Sequence, residues 1–77
     1  MGARAFILIE TQVGRTRHVL EAIRRVAGVK EADIVTGTFD IIAQIEAPDI
    51  RSMADVVTGQ IQSVRGVVRT ITCVAAG

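Results

Sequence analysis

Two kinds of spacing alternate along this chain. Apolar residues recur at every second position or run together in short stretches near Arg4–Thr11, Val29–Thr36, Asp40–Ala47 and Val67–Ala75, and these windows predict strands. Between the first two, Leu20, Ile23 and Ala27 fall at i, i+3 and i+7 with Val19 and Val26 beside them, which predicts a helix from near Gly14 to just before Gly28. Between the last two, Ile50, Met53, Ala54, Val57, Ile61 and Val64 make a longer stripe, opened by the N-cap residue Asp49 after Pro48 and ended by Gly66. Gly59 lies inside that stripe, where glycine costs roughly 1 kcal/mol relative to alanine.

The order βαββαβ is also a repeat. AFILIE (Ala5–Glu10) aligns with IIAQIE (Ile41–Glu46), and VAGV (Val26–Val29) aligns with VRGV (Val64–Val67). Two right-handed βαβ crossovers joined by a hairpin give an α+β, ferredoxin-like fold, a four-stranded antiparallel sheet with two helices on one face. Its first and third strands are central, which suits Phe6-Ile7-Leu8-Ile9 and Ile41-Ile42-Ala43. Its second and fourth are edges, which suits Lys30, Glu31, Asp33 and Arg69.

Alternation divides the central strands into two faces. Ile7, Ile9, Ile41 and Ile45 form the face under the helices. Phe6, Leu8 and Glu10, with Ile42, Gln44 and Glu46, form the other. An apolar patch of Phe6, Leu8 and Ile42 in the middle of an open sheet predicts an interface, and Phe6, Leu8, Ile42 and Gln44 are the expected contacts of a symmetric homodimer packed sheet on sheet.

Composition narrows the functions. At 77 residues the chain is one small domain, residues 1–77, with a modest core. Cys73 is its only cysteine, so no internal disulfide or CxxC metal site exists, and one Cys with one His cannot build a zinc cluster. Cys73 itself is expected as a small buried residue of the last strand, and His18 as a surface residue. Arg15, Arg17, Arg24 and Arg25 read as a solvated helix face, with Glu21 placed to pair with Arg25. A net charge of +1 does not point to nucleic acid, no apolar run spans a membrane, and MGARAFILIE is too short in its apolar part for a signal peptide, so the cytoplasm is expected. Two Phe and no Tyr or Trp do not furnish an RNA-stacking sheet, and the absence of Asn removes an acyl-phosphatase-like site. No nucleophile triad or carboxylate pair is visible; the chain does not read as an enzyme, and no cofactor is implied.

The stretch between Val35 and Asp40 must reverse the chain. Gly37 can take positive φ and Thr36 can bond locally, which accounts for the turn. Asp40 needs a further reason, because a carboxylate at the mouth of a central strand is costly unless paired. Backbone N–H groups near Gly37 and Thr38 suit a carboxylate, and Asp40 suits an ammonium; together these describe an α-amino acid.

VTGTFDIIAQIE resembles the Thr-Gly-x-aromatic-Asp hairpin of the Lrp/AsnC effector-binding (RAM) domain. The resemblance extends through AFILIET, the VxGV after the first helix and VVRTITCV at the end. It implies a module that dimerises, builds rings of eight or ten subunits, and binds small effectors, typically amino acids, where dimers meet. Carried over, the candidate ligand residues are Thr36, Gly37, Thr38 and Asp40, with Thr70 and Thr72 reached from a neighbouring subunit. Family members usually carry an N-terminal helix-turn-helix. This sequence has none before its first strand, so it resembles a stand-alone form that senses an effector and joins a full-length Lrp/AsnC regulator without binding DNA itself. The initiating Met directly before the strand favours a natural short protein over a cut domain. The alternative is a pure assembly module that pairs with other RAM-domain proteins.

Overall fold

Alternation along the first strand sets up the whole layer. In a computed structural model that describes residues 2–76, β1 spans Ala3–Thr11, and its residues Ala5, Ile7, Ile9 and Thr11 are buried while the intervening ones are half-buried or exposed. Helix α1 (Thr16–Arg24), β2 (Val29–Ile34), β3 (Ile41–Ala47), α2 (Ile50–Val56) and β4 (Val67–Val74) follow. The sheet is antiparallel in the order β2-β3-β1-β4, the expected ferredoxin-like arrangement with β1 and β3 central. Register places Ile9 opposite Ile41, Ile7 opposite Ala43 and Ala5 opposite Ile45, all on the helix side and all buried. Val19, Leu20 and Ile23 from α1 complete the core with Met53, Val57 and Ile61.

The repeat in sequence is a repeat in structure. Val29 N–H bonds to Val26 O at 3.2 Å and Val67 N–H to Val64 O at 3.1 Å, so each VxGV closes the same tight turn. The third residue of each turn, Gly28 or Gly66, has φ near +100°, the region a type II turn requires there (φ +96° and +104°). Each turn leads into an edge strand with an extra residue near its start. Lys30 has no partner between Val29–Ile45 and Glu31–Gln44, and Val68 has none between Arg69–Glu10 and Val67–Thr11.

Several expectations are corrected in detail. Helix α1 ends at Arg24, four residues before Gly28, and Ala27, expected on the buried stripe, is exposed. Arg24 does not simply point to water. Its Nε and Nη2 donate to Ala32 O at 3.0 and 2.7 Å and Nη2 lies 3.6 Å from Asp33, which ties α1 to β2 and occupies a carbonyl of an edge strand. Among the described residues the ion pairs are Arg24–Asp33 and Arg69–Glu10; Glu21 and Arg25 form none.

The second helix starts as expected, with the Asp49 carboxylate accepting from Ser52 N–H at 2.7 Å. It then changes pitch. Val57–Ile61 is a π-helical turn closed by Gln62 N–H to Val57 O at 2.9 Å. The cause is visible in the spacing. Met53, Val57 and Ile61 are four residues apart, and four residues of α-helix overshoot a full turn by roughly 40°. The wider turn returns Ile61 to the core beneath Val57. Gly59 lies on its outer side with open space around it. Ile50 and Ala54, expected on the buried stripe, are exposed, Ile50 to 56%.

Candidate functional site

The β2–β3 connection is built from four residues, Thr36 to Phe39, between Val35 N–H and Asp40 O, which bond at 2.9 Å. Thr36, Gly37 and Thr38 form an exposed tip, and Gly37 has φ +137°. Phe39 and Asp40 are half-buried at its base.

Asp40 is the anchor. Its N–H donates to Ile9 O at 2.9 Å, which carries the β1–β3 pairing one step beyond Ile41. Its Oδ2 accepts from Thr11 N–H at 2.8 Å and from Thr11 Oγ1 at 3.2 Å. Thr11 Oγ1 also lies 2.7 Å from Thr16 Oγ1, in the first turn of α1. One carboxylate oxygen therefore joins the hairpin, the end of β1 and the start of α1. This internal partner answers part of the cost of placing Asp40 at a strand mouth. Both of its bonds fall on Oδ2.

Phe39 is held from the other direction. The Arg69 guanidinium sits 5.1 Å from its ring centroid, and Arg69 Nε donates to Glu10 Oε1 at 3.2 Å. Glu10 and Arg69 are cross-strand partners on the face away from the helices. Thr11, Thr16, Glu10 and Arg69 are thus parts of the hairpin's support that sequence reasoning did not single out. Thr11 and Arg69 do lie in the quoted stretches AFILIET and VVRTITCV, but their partner is set by strand register.

Thr70 and Thr72 lie elsewhere within the protomer. Opposite Ile9 and Ile7, they share the helix side of β4. Thr70 Oγ1 accepts from Gln62 Nε2 at 3.0 Å. Thr72 lines a groove of about 250 Å³ between α2 and β4 with Met53, Val57 and Val74. No hydrogen bond among the described residues joins either threonine to the hairpin.

The open sheet face carries two ordered rows. Ile42, Leu8 and Ile71 are aligned across three strands, and Gln44, Phe6 and Cys73 make the next row. Phe6, Ile42 and Ile71 are 38%, 36% and 39% exposed. Cys73 is exposed in this face, which corrects the expectation that it is buried. His18 is exposed, as expected.

Residues 4–76 match the family described as the Lrp/AsnC ligand binding domain. The chain belongs to this family. An uncharacterised helix-turn-helix-type transcriptional regulator of Pyrococcus horikoshii is 35% identical over 78 residues, a match covering 97% of this chain and 52% of the relative. The chain spans about half the length of the curated relatives it matches. Among solved structures, a protein of Thermus thermophilus superposes with a TM-score of 0.93 at 37% identity, covering 97% of this chain and 94% of that one. A transcriptional regulator of Neisseria meningitidis, solved in complex with L-methionine, shares the Lrp/AsnC fold at 19% identity, with a TM-score of 0.87 over 97% of this chain and 50% of that one. No helix among the described residues is long and apolar enough to cross a membrane.

Proposed function

We propose that residues 1–77 act as one regulatory domain that binds a small effector, an amino acid, at the β2–β3 hairpin within a homo-oligomer. The observation that carries this reading is the pairing of an exposed Thr36-Gly37-Thr38 tip with a base fixed by Asp40, Thr11 and Thr16. In the proposal the tip's N–H groups take the ligand carboxylate. Asp40 Oδ1 takes the ammonium while Oδ2 keeps Thr11. The remaining wall comes from a neighbouring subunit, whose Thr70 and Thr72 are the candidate contacts. The L-methionine complex of the Neisseria meningitidis regulator supports the ligand class.

The oligomer begins as a dimer packed through Phe6, Leu8, Ile42 and Gln44, with Ile71 and Cys73 extending the same patch, and it builds to an octamer or decamer. Ligand binding between dimers then links occupancy to assembly. Mixed assembly with a full-length Lrp/AsnC regulator in the cytoplasm would pass the signal to DNA. A second reading, a pure assembly module for other chains of this family, is favoured by the apolar rows of the open face, which need no ligand.

A thermal-shift screen of the amino acids separates the two. Sensing predicts that at least one raises the melting temperature, with stabilisation of about 2.7 kcal/mol at a hundredfold excess over Kd. Asp40→Asn, which keeps an acceptor for Thr11 N–H but loses the charge, should fold and lose that response. A folded wild-type chain that responds to none of them leaves the assembly reading.

A further inference from the structure

The hairpin and the open sheet face are separate features of the fold, yet one residue touches both. Arg69 leaves β4 on the open face, pairs with Glu10 of β1 through Nε at 3.2 Å, and lays its guanidinium 5.1 Å from the Phe39 ring at the base of the hairpin. Phe39 is the last loop residue before the Asp40 anchor. The rest of the tip is exposed, so its position depends on what holds its two ends.

We infer that Arg69 is a positioning residue that sets the hairpin from the open sheet face, so that packing of that face and ordering of the effector loop are linked. This rests on the reading of the hairpin as the effector site and of the face as the dimer contact. The physical reason is dielectric. An exposed ion pair is screened by water, and a cation–π contact, weak when exposed, strengthens when desolvated. The Glu10–Arg69–Phe39 chain borders the apolar rows of Leu8–Ile71 and Phe6–Cys73. A second copy seated on those rows removes water from its flank, tightens the chain and holds Phe39. By reciprocity, a ligand that needs the ordered hairpin favours the packed face.

Amide hydrogen exchange measures this without a known ligand. The reporters are Val35 N–H and Asp40 N–H, whose bonds close the hairpin and join it to β1; the Ile7 and Ile45 amides in the central strands are controls. Arg69→Ala and Phe39→Leu are each expected to speed reporter exchange roughly two- to fivefold, the range an exposed cation–π contact supports. The double variant should be no faster than either single one, and Arg69→Lys, which keeps the cation, should restore most of the protection. Controls should not change. In wild type, reporter exchange should slow as concentration rises through self-association, and Arg69→Ala should abolish that dependence. Unchanged reporters in Arg69→Ala, additive effects in the double variant, equal effects on reporters and controls, or a concentration dependence that survives Arg69→Ala would each overturn the assignment. A wild-type chain that never associates overturns the linkage and the dimer reading together. Failure to bind any amino acid, with the exchange results as expected, overturns only the effector reading and supports the role of Arg69 in setting the loop.

Discussion

Glycines of the same composition have opposite meanings here. At Gly66 an added Cβ would come within 2.8 Å of Val19 Cγ2 and 3.1 Å of Arg15 Cβ, at φ +104°. Gly66→Ala combines a left-handed backbone with a clash against a core side chain, and should destabilise by about 2 kcal/mol or more in urea unfolding. Gly59 meets nothing within 4 Å and its φ lies outside the left-handed region. Gly59→Ala should therefore be neutral or stabilise by up to about 1 kcal/mol. A large loss at Gly59, or none at Gly66, would contradict this account of the two turns. Asp40 shows where sequence reasoning stopped. That a carboxylate there needed a partner was legible from its apolar surroundings. That the partner was Thr11, 29 residues away, was not, because it depends on β1–β3 register and on the approach of Thr16. Asp40→Ala should cost about 1–3 kcal/mol, the range for leaving a donor such as Thr11 N–H unsatisfied, and Asp40→Asn should cost less. Unfolding midpoints of the two variants check this order.

Elements were legible wherever a period persisted. The period of two in β1 and β3 assigned both faces correctly because one face is fully buried. The charged β2 was recognisable as an edge. The π turn is not legible in the pattern, since a four-residue spacing of Met53, Val57 and Ile61 fits a helical stripe until the drift is added up. Cys73 departs from expectation for a related reason. Cysteine is more often buried, but opposite Phe6 it shares the open face. The start of α2 carries its own pH signature. The Ser52 backbone N–H, with its side chain, holds the Asp49 carboxyl below its ordinary value of 3.8. A depressed carboxyl contributes fully above the unfolded value, and that contribution is lost as pH falls below 3.8 through the folded value. Wild type should lose more stability than Asp49→Asn across that window. Parallel losses in urea midpoints would show that the cap charge contributes nothing.

At the scale of the whole molecule, the fold leaves one problem unsolved within a protomer. Two helices cover one face of four strands, and the other presents Phe6, Leu8, Ile42 and Ile71 in register. A chain of 77 residues has little core to spare, and this contiguous apolar patch is the surface that the proposed association would cover. Membership of the Lrp/AsnC ligand-binding family gives the patch a context, and both proposed functions need the same first step, association of two copies through it. Sedimentation equilibrium of the wild-type chain beside Leu8→Lys tests that step most directly. A lysine in the middle of a packed face would bury a charge, whereas on an exposed face it is harmless. The expected result is a dimer or larger assembly for wild type and a folded monomer, by circular dichroism, for Leu8→Lys. A well-folded wild-type monomer, or a Leu8→Lys variant that keeps the wild-type mass, would contradict the account.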